Sequence, residues 1–565
     1  MTTIQHEIRP GAYYDSVVLM QLQRALLEIE GIHDAGVVMA TQANLELLED
    51  TGLAINGVDA RPEDLLIVVK ADSKSDAEGA LGQVDDLLTR RRSSASSTYR
   101  PRSLDSARKQ LPQAEWVLIS IPGRYAAKVT RQALELDKHV FLYSDNVSLD
   151  DEIALKSFGR EKGLMVMGPD CGTAIVNGVG FGFANRVRRG PIGLVGASGT
   201  GLQAITSAVH SLGQGISHAL GTGGRDLKRE VDAICARQAL DLLARDPATD
   251  VIVLVSKPPD PDVAALLMAA ARQISKPIVI NFIGYAAPTR QFGNLYFAQT
   301  LQEAAEQAVA LVDTKPPSSK QAPALKLAGR RYVRGLFSGG TLAIETARGL
   351  DAFLGSVHTN LSGTGAATLA DPLISEAHTI LDLGEDIFTV GRLHPMIDND
   401  LRLRRLRQEA SDPLVALILL DVVLGEGAHP DPAGELAPAI AQAREEYGVA
   451  FATLLIGTDE DPQDLERQRQ SLEAAGAMVF SDTMSLVLHA TQLVDQTAIE
   501  ESPEVGLEAL NAPVAGINIG LESFFDSLKE QGAEVVQVDW RPPASGDERL
   551  MDILSKMKST GAKQD

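Results

Sequence analysis

Cysteine and long apolar runs are both scarce in this chain of 565 residues. Its two cysteines, Cys171 and Cys235, are too few for a disulfide framework and too far apart for a thiolate metal site. No window approaches 18 consecutive apolar residues, and the N-terminal residues lack the basic and apolar segments of a secretory signal. The histidines have no metal-ligand spacing. We therefore expect a cytoplasmic protein without a metal site.

Basic residues are also fewer than acidic ones. The sequence has 52 Lys and Arg and 75 Asp and Glu, which gives a formal net charge of −23. Such an acidic chain repels phosphate backbones and anionic lipid surfaces, which argues against nucleic-acid and membrane partners. The short basic run from Arg402 to Arg407 is too small to reverse this field, and we interpret it as a solvated helix face. With 44% hydrophobic and 22% charged residues, the composition is that of a folded globular protein.

Continuous apolar runs alternate with helical patterns along the chain, which predicts an α/β protein with parallel sheets covered on both faces. Two polar segments, Ser93–Thr98 and Lys315–Lys320, are typical of linkers. The length predicts three or four domains. We place the domains at residues 1–97, 98–188, 189–315 and 328–545, followed by a C-terminal tail at 546–565.

The second half of the chain repeats the outline of the preceding part. The segment that begins at Gly193 has a counterpart at Gly335, and the apolar run Val251–Val255 has one at Val415–Leu420. Ile278–Gly284 similarly corresponds to Phe451–Gly457. Three correspondences in the same order indicate a duplicated domain.

A glycine-rich segment, Gly196–Gly201, lies between an apolar strand and a helical run. Its free backbone N–H groups at a helix N-terminus favour an anion, so we predict that Ser198, Gly199, Thr200 and Gly201 bind phosphate or carboxylate. The alternative is a tight turn with Ser198 as a helix cap. No lysine follows as in a Walker loop, and Thr200 replaces the last glycine of a serine-hydrolase elbow.

A second cluster, Gly221–Asp226, places Arg225 beside flexible backbone, as a carboxylate or phosphate clamp requires. We predict that Gly223 and Gly224 contact this anion. The equally weighted alternative is a surface loop in which Arg225 pairs with Asp226.

The duplicated half carries a matching set of candidates. Ser338, Gly339, Gly340 and Thr341 correspond to the first glycine loop, and we predict that they bind an anion. Downstream, Gly391–Asp398 is a polar loop in which Arg392, His394 and Asp398 are close together in sequence. We predict that Arg392 and His394 are catalytic and that Asp398 contacts the anionic substrate. Histidine beside arginine is suited to proton transfer near an anion, although a structural histidine is the commoner case.

The same segments carry a family resemblance. Glu115–Thr173, with Val166-Met-Gly-Pro-Asp-Cys-Gly172, and Gly190–Asp226 resemble the α subunit of succinyl-CoA synthetase. A fuller match, over nearly the whole chain, is to the FdrA family of synthetase-like proteins. Its recurrent segments are represented here by Tyr143–Ile153, Met167–Thr173, Gly224–Leu227, Val255–Pro259, Thr389–Arg392 and His394–Asp398.

The resemblance implies a fold for each predicted domain. It assigns a small α/β domain to 1–97 and a truncated Rossmann-like domain of the CoA-binding type to 98–188. Two flavodoxin-like domains of the succinyl-CoA synthetase type then occupy 189–315 and 328–545.

The chain departs from the synthetases at two places. Their phosphohistidine loop corresponds to Gly284–Thr300, which contains no histidine, so a phosphoenzyme route through this loop is not available. Their glycine-rich CoA loop on the first strand is missing as well. We therefore predict no cofactor and treat CoA binding as doubtful, with phosphate as a co-substrate.

FdrA-type proteins resemble one subunit of an oxamate carbamoyltransferase in allantoin and purine catabolism. The implied reaction converts oxalurate and phosphate into oxamate and carbamoyl phosphate. In it, Arg225 and Arg392 would neutralise charge, and His394 would transfer a proton to the leaving nitrogen. The implied partners are other carbamoyltransferase subunits in an oligomer and small anionic substrates.

Two alternative functions remain open. The domain resemblance alone implies a subunit of an acyl-CoA synthetase, an acid–thiol ligase of the succinate–CoA ligase type. A catalytically inert scaffold or regulatory subunit is the other.

Overall fold

The computed structural model describes residues 2–10, 16–53, 55, 57, 59–62, 64–90, 100–312, 314, 329–362, 366–494 and 503–541. The predicted linkers Ser93–Thr98 and Lys315–Lys320 and the predicted tail 546–565 lie outside these residues. The chain divides into two compact units. The first unit comprises Met1–Gln132, Ser144–Asn146 and Ala515–Asp565, and the second comprises Ala133–Tyr143 and Val147–Val514.

The helices and strands alternate along the chain as the apolar runs predict. Up to residue 182 they are β1 (Thr3–Arg9), α1 (Ser16–Leu27), β2 (Ile32–Met39), α2 (Gln42–Asp50), β3 (Leu65–Ala71), α3 (Lys74–Gly82), α4 (Val84–Arg90), α5 (Leu104–Gln110), β4 (Trp116–Ile119), α6 (Gly123–Glu135), β5 (His139–Leu142), α7 (Leu149–Glu161), β6 (Val166–Met167), β7 (Thr173–Val176) and β8 (Val179–Gly182). From there to residue 311 they are β9 (Arg189–Gly196), α8 (Gly199–Ser211), β10 (Ile216–Gly221), α9 (Ile234–Arg245), β11 (Val251–Ser256), α10 (Pro261–Arg272), β12 (Ile278–Phe282), β13 (Gln291–Phe292), β14 (Leu295–Phe297) and α11 (Leu301–Leu311). The remainder are β15 (Tyr332–Phe337), α12 (Gly340–Leu354), β16 (Val357–Thr359), β17 (Ala367–Thr368), β18 (His378–Asp382), α13 (Asp386–Thr389), α14 (Asp400–Ala410), β19 (Val415–Val423), α15 (Pro432–Tyr447), β20 (Ala450–Ile456), α16 (Leu465–Ala474), β21 (Met478–Phe480), α17 (Thr483–Val494), α18 (Glu508–Asn511), β22 (Ala515–Ile519), α19 (Glu522–Glu530) and β23 (Glu534–Val538).

The first unit begins with a small antiparallel sheet in the order β1-β3-β2. Its central strand, β3, is apolar on both faces because both faces are covered. Leu65, Ile67 and Val69 pack in one cluster that includes Leu26 of α1. Leu66 and Val68 face the opposite cluster. This is the small N-terminal α/β domain that the sequence pattern predicts.

The end of the described chain adds two strands to the sheet that contains β4. β22 pairs in parallel with β4, Gly516 opposite Trp116 and Ile519 opposite Ile119, and β23 pairs with β22. The predicted boundary of the last domain at residue 545 is therefore wrong. Residues 515–538 belong with β4, because the polar backbone of a buried strand must be hydrogen-bonded by some neighbouring strand, which need not be near in sequence.

The second unit contains an eight-stranded sheet in the order β13-β14-β12-β11-β9-β10-β7-β8. Its core, β14-β12-β11-β9-β10, is parallel, and β7 and β8 add antiparallel strands at one edge. The predicted boundary at residue 188 is also wrong, since β7 and β8 precede it and still belong to this sheet. An antiparallel extension needs only a short turn, which the sequence does not distinguish from a domain boundary.

The second unit also contains a seven-stranded sheet, wholly parallel and in the order β17-β16-β18-β15-β19-β20-β21. The run β20-β19-β15-β18 repeats the order of β12-β11-β9-β10. The strands matched by sequence occupy equivalent places, β9 with β15, β11 with β19 and β12 with β20. The predicted duplication is thus confirmed, and each copy places a glycine loop between its central strand and the next helix.

The pairing of β22 with β4 can be tested by unfolding. Both tryptophans of the sequence, Trp116 and Trp540, lie in the first unit, so tryptophan fluorescence reports its unfolding. Ile517→Ala removes a fully buried side chain from β22 and should lower the free energy of unfolding of that transition by about 2–5 kcal/mol. Leu47→Ala, at a largely exposed position, should change it by no more than about 0.5 kcal/mol. An unchanged fluorescence transition in Ile517→Ala would contradict this pairing.

Candidate functional site

The glycine loop after β9 contains the serine that caps the following helix, α8. Ser198 caps α8, its Oγ accepting the N–H of Gly201 at 3.2 Å. Gly201 has no room for a side chain, since a Cβ would lie 2.9 Å from that Oγ. Gly199 and Thr200 leave backbone N–H groups at the start of the helix. The alternative prediction, that Ser198 is a helix cap, is therefore confirmed. Anion binding by this loop stays a prediction.

A cavity of about 660 Å³ opens at the carboxyl ends of β10 and β11, the edge where open α/β sheets bind ligands. We call it the first cavity. The loops that follow these two strands supply most of its wall. Its lining residues are Asp170, Gly224, Arg225, Leu227, Lys228, Arg229, Glu230, Ser256, Lys257, Pro258 and Asp260.

A buried ion cluster lies behind this wall. The Lys156 ammonium contacts Glu152 Oε1 at 2.9 Å and Asp226 Oδ1 at 2.7 Å, and it donates to the carbonyl of Thr222 at 3.0 Å. All three charged side chains are almost completely buried. Burial disfavours the ammonium charge, but the Asp226 and Glu152 carboxylates outweigh burial and raise the pKa of Lys156. Asp226 also accepts the N–H groups of Cys235 and Ala236 at the start of α9, which fixes the loop after β10.

Arg225 reaches the first cavity from this cluster. Its Nε lies 2.8 Å from Glu152 Oε2, and its Nη2 donates to the carbonyl of Val147 at 2.8 Å. The surface pair of Arg225 with Asp226, one of the two sequence alternatives, is not formed, because Asp226 is turned inward to Lys156. Tertiary packing thus leaves the Arg225 side chain about one-third exposed beside the cavity.

The two glycines before Arg225 play different parts. Gly223 has a positive φ of 86°, and a Cβ there would lie 2.4 Å from the carbonyl oxygen of Pro169. It therefore permits close backbone packing. Gly224 is exposed and lines the first cavity, as an anion-binding position would require.

Both cysteines are buried beside the Lys156 cluster. Burial raises the pKa of the Cys171 thiol to about 12 and the pKa of the Cys235 thiol well above its ordinary value. The thiolate is the nucleophilic form, so neither cysteine is suited to covalent catalysis at neutral pH.

A second cavity, of about 470 Å³, occupies the matching edge of the seven-stranded sheet. It gathers the predicted residues Ser338, Gly339, Gly340, Thr341 and His394. The other lining residues are Leu342, Asp382, Gly384, Met396, Val423 and Ile456. Arg225 lines the first cavity and His394 the second, so the two are not brought together in one described cavity.

Asp421 organises the glycine loop of this second cavity. Its carboxylate accepts the Ser338 N–H at 2.8 Å and the Ser338 hydroxyl at 2.9 Å, and Arg402 approaches it at 3.1 Å. Arg402 also donates to the Asp421 carbonyl. Asp421 and Arg402 are both buried. The expected solvated face on α14 is therefore wrong for Arg402 and also for Arg405, which is buried and paired with Glu409 at 2.6 Å.

Asp382 is a site residue that motif reasoning did not select. Its carboxyl group is buried, and its Oδ1 accepts the N–H of Gly384 at 2.8 Å. Its Oδ2 lies at the start of α12, 2.8 Å from where a Cβ of Gly340 would be. Burial, together with the charges of Glu385 and Asp421, raises its pKa. The signal in the sequence was an aspartate at the carboxyl end of a strand next to the central one.

His394 faces Asp382 across Gly384. Its Nδ1 accepts the N–H of Met396 at 3.2 Å, so the neutral ring carries its proton on Nε2. Nε2 is directed at the wall of the cavity, 2.8 Å from where a Cβ of Gly384 would be. In this tautomer His394 can donate a hydrogen bond to an oxyanion.

The other two residues of the predicted polar loop lie elsewhere. Arg392 is exposed and lines neither cavity. Asp398 uses its Oδ1 to accept the N–H of Asp400 at 2.8 Å, which stabilises the start of α14. Their predicted roles in catalysis and anion binding stay predictions.

No helix in the described ranges combines the length and hydrophobicity needed to cross a lipid bilayer.

Family comparisons assign a description to three parts of the chain. A model described as the heavy metal-associated domain of AllF matches residues 1–103, a CoA binding domain model matches 187–284, and a CoA-ligase model matches 336–493. The CoA-binding match falls on the domain expected to be ligase-like, and not on 98–188. The assignment of the CoA-binding type to 98–188 stays a prediction.

The residues of the N-terminal domain do not fit a heavy-metal site. Soft metal ions prefer thiolate and imidazole ligands, and residues 1–103 contain no cysteine and only two histidines, His6 and His33. Across the described part of the chain, no three His, Cys, Asp or Glu side chains are grouped so that they could hold a metal. His33 instead bonds Asp72 at 2.7 Å.

Individual curated proteins and solved structures are also similar to this chain. The protein YahF of Escherichia coli K12 is 39% identical over 503 residues, which are 86% of this chain and 98% of YahF. The α subunit of ADP-forming succinate–CoA ligase from Aquifex aeolicus is 24% identical over 35% of this chain and 69% of its own. Among solved structures, the dinucleotide-forming acetyl-coenzyme A synthetase 1 of Ca. Korarchaeum cryptofilum in its apo form matches with 15% identity and a TM-score of 0.29. That match covers 68% of this chain and 84% of the other.

Lys156→Met should destabilise the second unit. The change leaves Asp226 buried without a cation and Glu152 with Arg225 alone, which should lower the free energy of unfolding by about 3–5 kcal/mol. The unpaired Asp226 carboxylate would have a raised pKa in the folded variant and bind a proton as the pH falls. The loss should thus be smaller at pH 5 than at pH 8.

Urea unfolding followed by circular dichroism measures this effect, and tryptophan fluorescence monitors the first unit separately. Lys128→Met, at an exposed position on α6, is the matched control and should leave the stability nearly unchanged. A loss in Lys156→Met that is independent of pH would contradict the assigned charge pairing.

Proposed function

This chain belongs to the FdrA-like family of proteins related to YahF and to succinyl-CoA synthetase α subunits, and from that membership we propose that it is a subunit of an acid–thiol ligase-type enzyme. In this proposal the second cavity binds the carbonyl group that is activated and transferred. The observation that carries it is the convergence of the α12 N-terminus, His394 and Asp382 on this cavity. The CoA-ligase match, which includes all three, and the names of the ligase relatives support the reaction class.

The start of α12 is suited to a developing oxyanion. Gly339 stands at the cap position and contributes no side-chain hydrogen bond, so the first N–H groups of the helix face the cavity. These N–H groups and the helix dipole stabilise negative charge on a tetrahedral intermediate. Asp421 holds Ser338 and thereby fixes the loop that leads into the helix.

Asp382 and His394 would handle protons at the same place. The raised pKa of Asp382 keeps its carboxyl protonated to a higher pH than is usual for aspartate, so it can serve as a proton donor. His394 would donate its Nε2 proton to the same oxyanion.

CoA would supply the thiol of a ligase reaction. The CoA binding domain match begins just before β9 and includes the loop to α8. The backbone N–H groups of Gly199 and Thr200, at the start of α8, would hold CoA phosphates there.

Carbamoyl transfer to phosphate is the second candidate, and a specific observation favours it. Residues 284–300 contain no histidine, so this chain offers no phosphohistidine where the succinate–CoA ligases carry theirs. Phosphorolysis of an N-carbamoyl compound needs no protein nucleophile, since phosphate itself attacks. The oxyanion site proposed in the second cavity would serve this reaction equally.

The test uses the full chain purified together with its associated subunits, assayed in two ways. A carboxylic acid with CoA and ATP should yield a thioester if the ligase proposal is right. Oxalurate with phosphate should yield carbamoyl phosphate if the second candidate is right. Formation of neither product by a complex that retains all its subunits would contradict both and favour a scaffold.

Substitutions in the second cavity should slow whichever reaction is found. His394→Ala and Asp382→Asn should each reduce kcat by about 100-fold or more, since general acid catalysis contributes that much. Because the protonated form of Asp382 is the active one, the wild-type rate should fall as the pH rises through its raised pKa. Asp382→Asn should lack this limb of the pH profile.

His33→Gln, at an exposed position in the N-terminal domain, is the control and should leave kcat unchanged. Unaltered kcat values and pH profiles in both cavity variants would exclude this cavity from the chemistry.

A further inference from the structure

The first cavity contains two lysines whose ammonium groups have no carboxylate partner. Lys228 follows β10 and Lys257 follows β11, and both side chains line the cavity. Neither has an ion pair within 4.0 Å among the residues that the structure describes. The whole chain has a net charge of −23, but these two unpaired cations lie at the edge of the sheet where open α/β sheets bind ligands. Their position there is suited to binding an anion.

The other charges of the cavity leave these lysines available. Arg229 is neutralised by Asp260 at 3.3 Å and Asp262 at 2.5 Å. Asp170 and Glu230 also line the cavity, but neither forms an ion pair with a lysine there. The described lining thus has four basic and three acidic side chains, and Lys228 and Lys257 are the basic ones without a described ion pair. Arg225 is paired with Glu152 but stays partly exposed beside them.

Arg225 keeps part of its guanidinium available to an anion. Its Nε lies beside Glu152, and Nη2 donates one N–H to the carbonyl of Val147. Nη1 and the second N–H of Nη2 have no described partner, and these groups can contact the oxygens of an anion. Three cations on separate positions suit the several oxygens of a phosphate group better than a planar carboxylate.

We propose that the first cavity is a phosphate-binding site in which Lys228, Lys257 and Arg225 Nη1 contact the phosphate oxygens. This site is separate from the oxyanion site proposed in the second cavity and does not depend on the function assigned there. Glu152 acts as a positioning residue, since it orients Arg225 without reaching the ligand. The cavity volume also admits a phosphate ester, so the group can come from free phosphate or from a larger molecule.

Isothermal titration calorimetry of the full chain with inorganic phosphate tests the proposal. Lys228→Ala and Lys257→Ala should each weaken phosphate binding by about tenfold or more, as expected for loss of a charge-assisted hydrogen bond. The double variant should show no measurable binding. Lys128→Ala, on the exposed surface of α6, lines neither cavity and should bind like the wild type. The three substituted positions are exposed, and circular dichroism verifies that each variant is folded.

Additional titrations identify the source of the phosphate group. Competition of CoA with phosphate in the wild type, absent from the double variant, would assign the site to a phosphate ester. Binding of inorganic phosphate without competition by CoA would assign it to the free ion. Succinate should bind more weakly than phosphate. Equal phosphate affinity in both lysine variants, or tighter binding of succinate that depends on the same lysines, would overturn the proposal.

Cavity variants separate this result from the proposed function. Asp382→Asn and His394→Ala should leave the lysine-dependent phosphate binding unchanged. Loss of that binding in these two variants would contradict an independent site. Failure to detect thioester or carbamoyl phosphate formation would not affect the binding measurement.

Discussion

A buried cation held against buried carboxylates is the interaction on which the functional edge of each large sheet depends. Lys156 on α7 holds Asp226 after β10, and Arg402 on α14 holds Asp421 in β19. Such pairs add little net stability, because desolvation offsets much of their attraction. Their role here is to fix the positions of the neighbouring loops and helix ends. Asp226 then fixes the start of α9 through two backbone N–H groups, and Asp421 fixes Ser338 ahead of α12.

The two copies of the duplicated domain have the same strand order but carry different functional groups at the edge of the sheet. The edge at β10 and β11 carries cations, with Arg225 held by Glu152 and two lysines left unpaired. The matching edge at β15 and β18 carries a helix N-terminus, a histidine with its proton on Nε2 and a buried aspartate with a raised pKa. One edge is therefore suited to holding an anion, and the other to stabilising a developing oxyanion and moving a proton. Duplication followed by such divergence is consistent with function residing in grafted sites rather than in the fold.

Local pattern was sufficient to predict much of the fold, and the failures have a common cause. The continuous apolar runs became buried strands, the duplicated strands occupy equivalent positions, and Ser198 caps its helix. The domain boundaries were wrong where strands pair across long sequence separations, as β22 does with β4. Pattern indicates that a strand is buried on both faces, but not which distant strand is its neighbour. For the same reason the sequence did not indicate that Arg402 and Arg405 are buried. Both belong to a basic run that is typical of a solvated helix face, and their acidic partners cannot be identified from local pattern.

The amino-acid sequence by itself determined the α/β class, the duplication, the acidic charge and the positions of the glycine loops, because each follows from local patterns, from composition or from comparing one stretch of sequence with another. Only the tertiary structure decided the surroundings of the candidate residues. It assigned Glu152 as the partner of Arg225, brought Asp382 to the start of α12 beside His394, and left Arg392 outside both cavities. Asp226 lies 70 residues from Lys156 in the sequence, and Asp421 lies 83 residues from Ser338. Charge pairing and pKa are set by such neighbours in space, and chain folding alone brings them together.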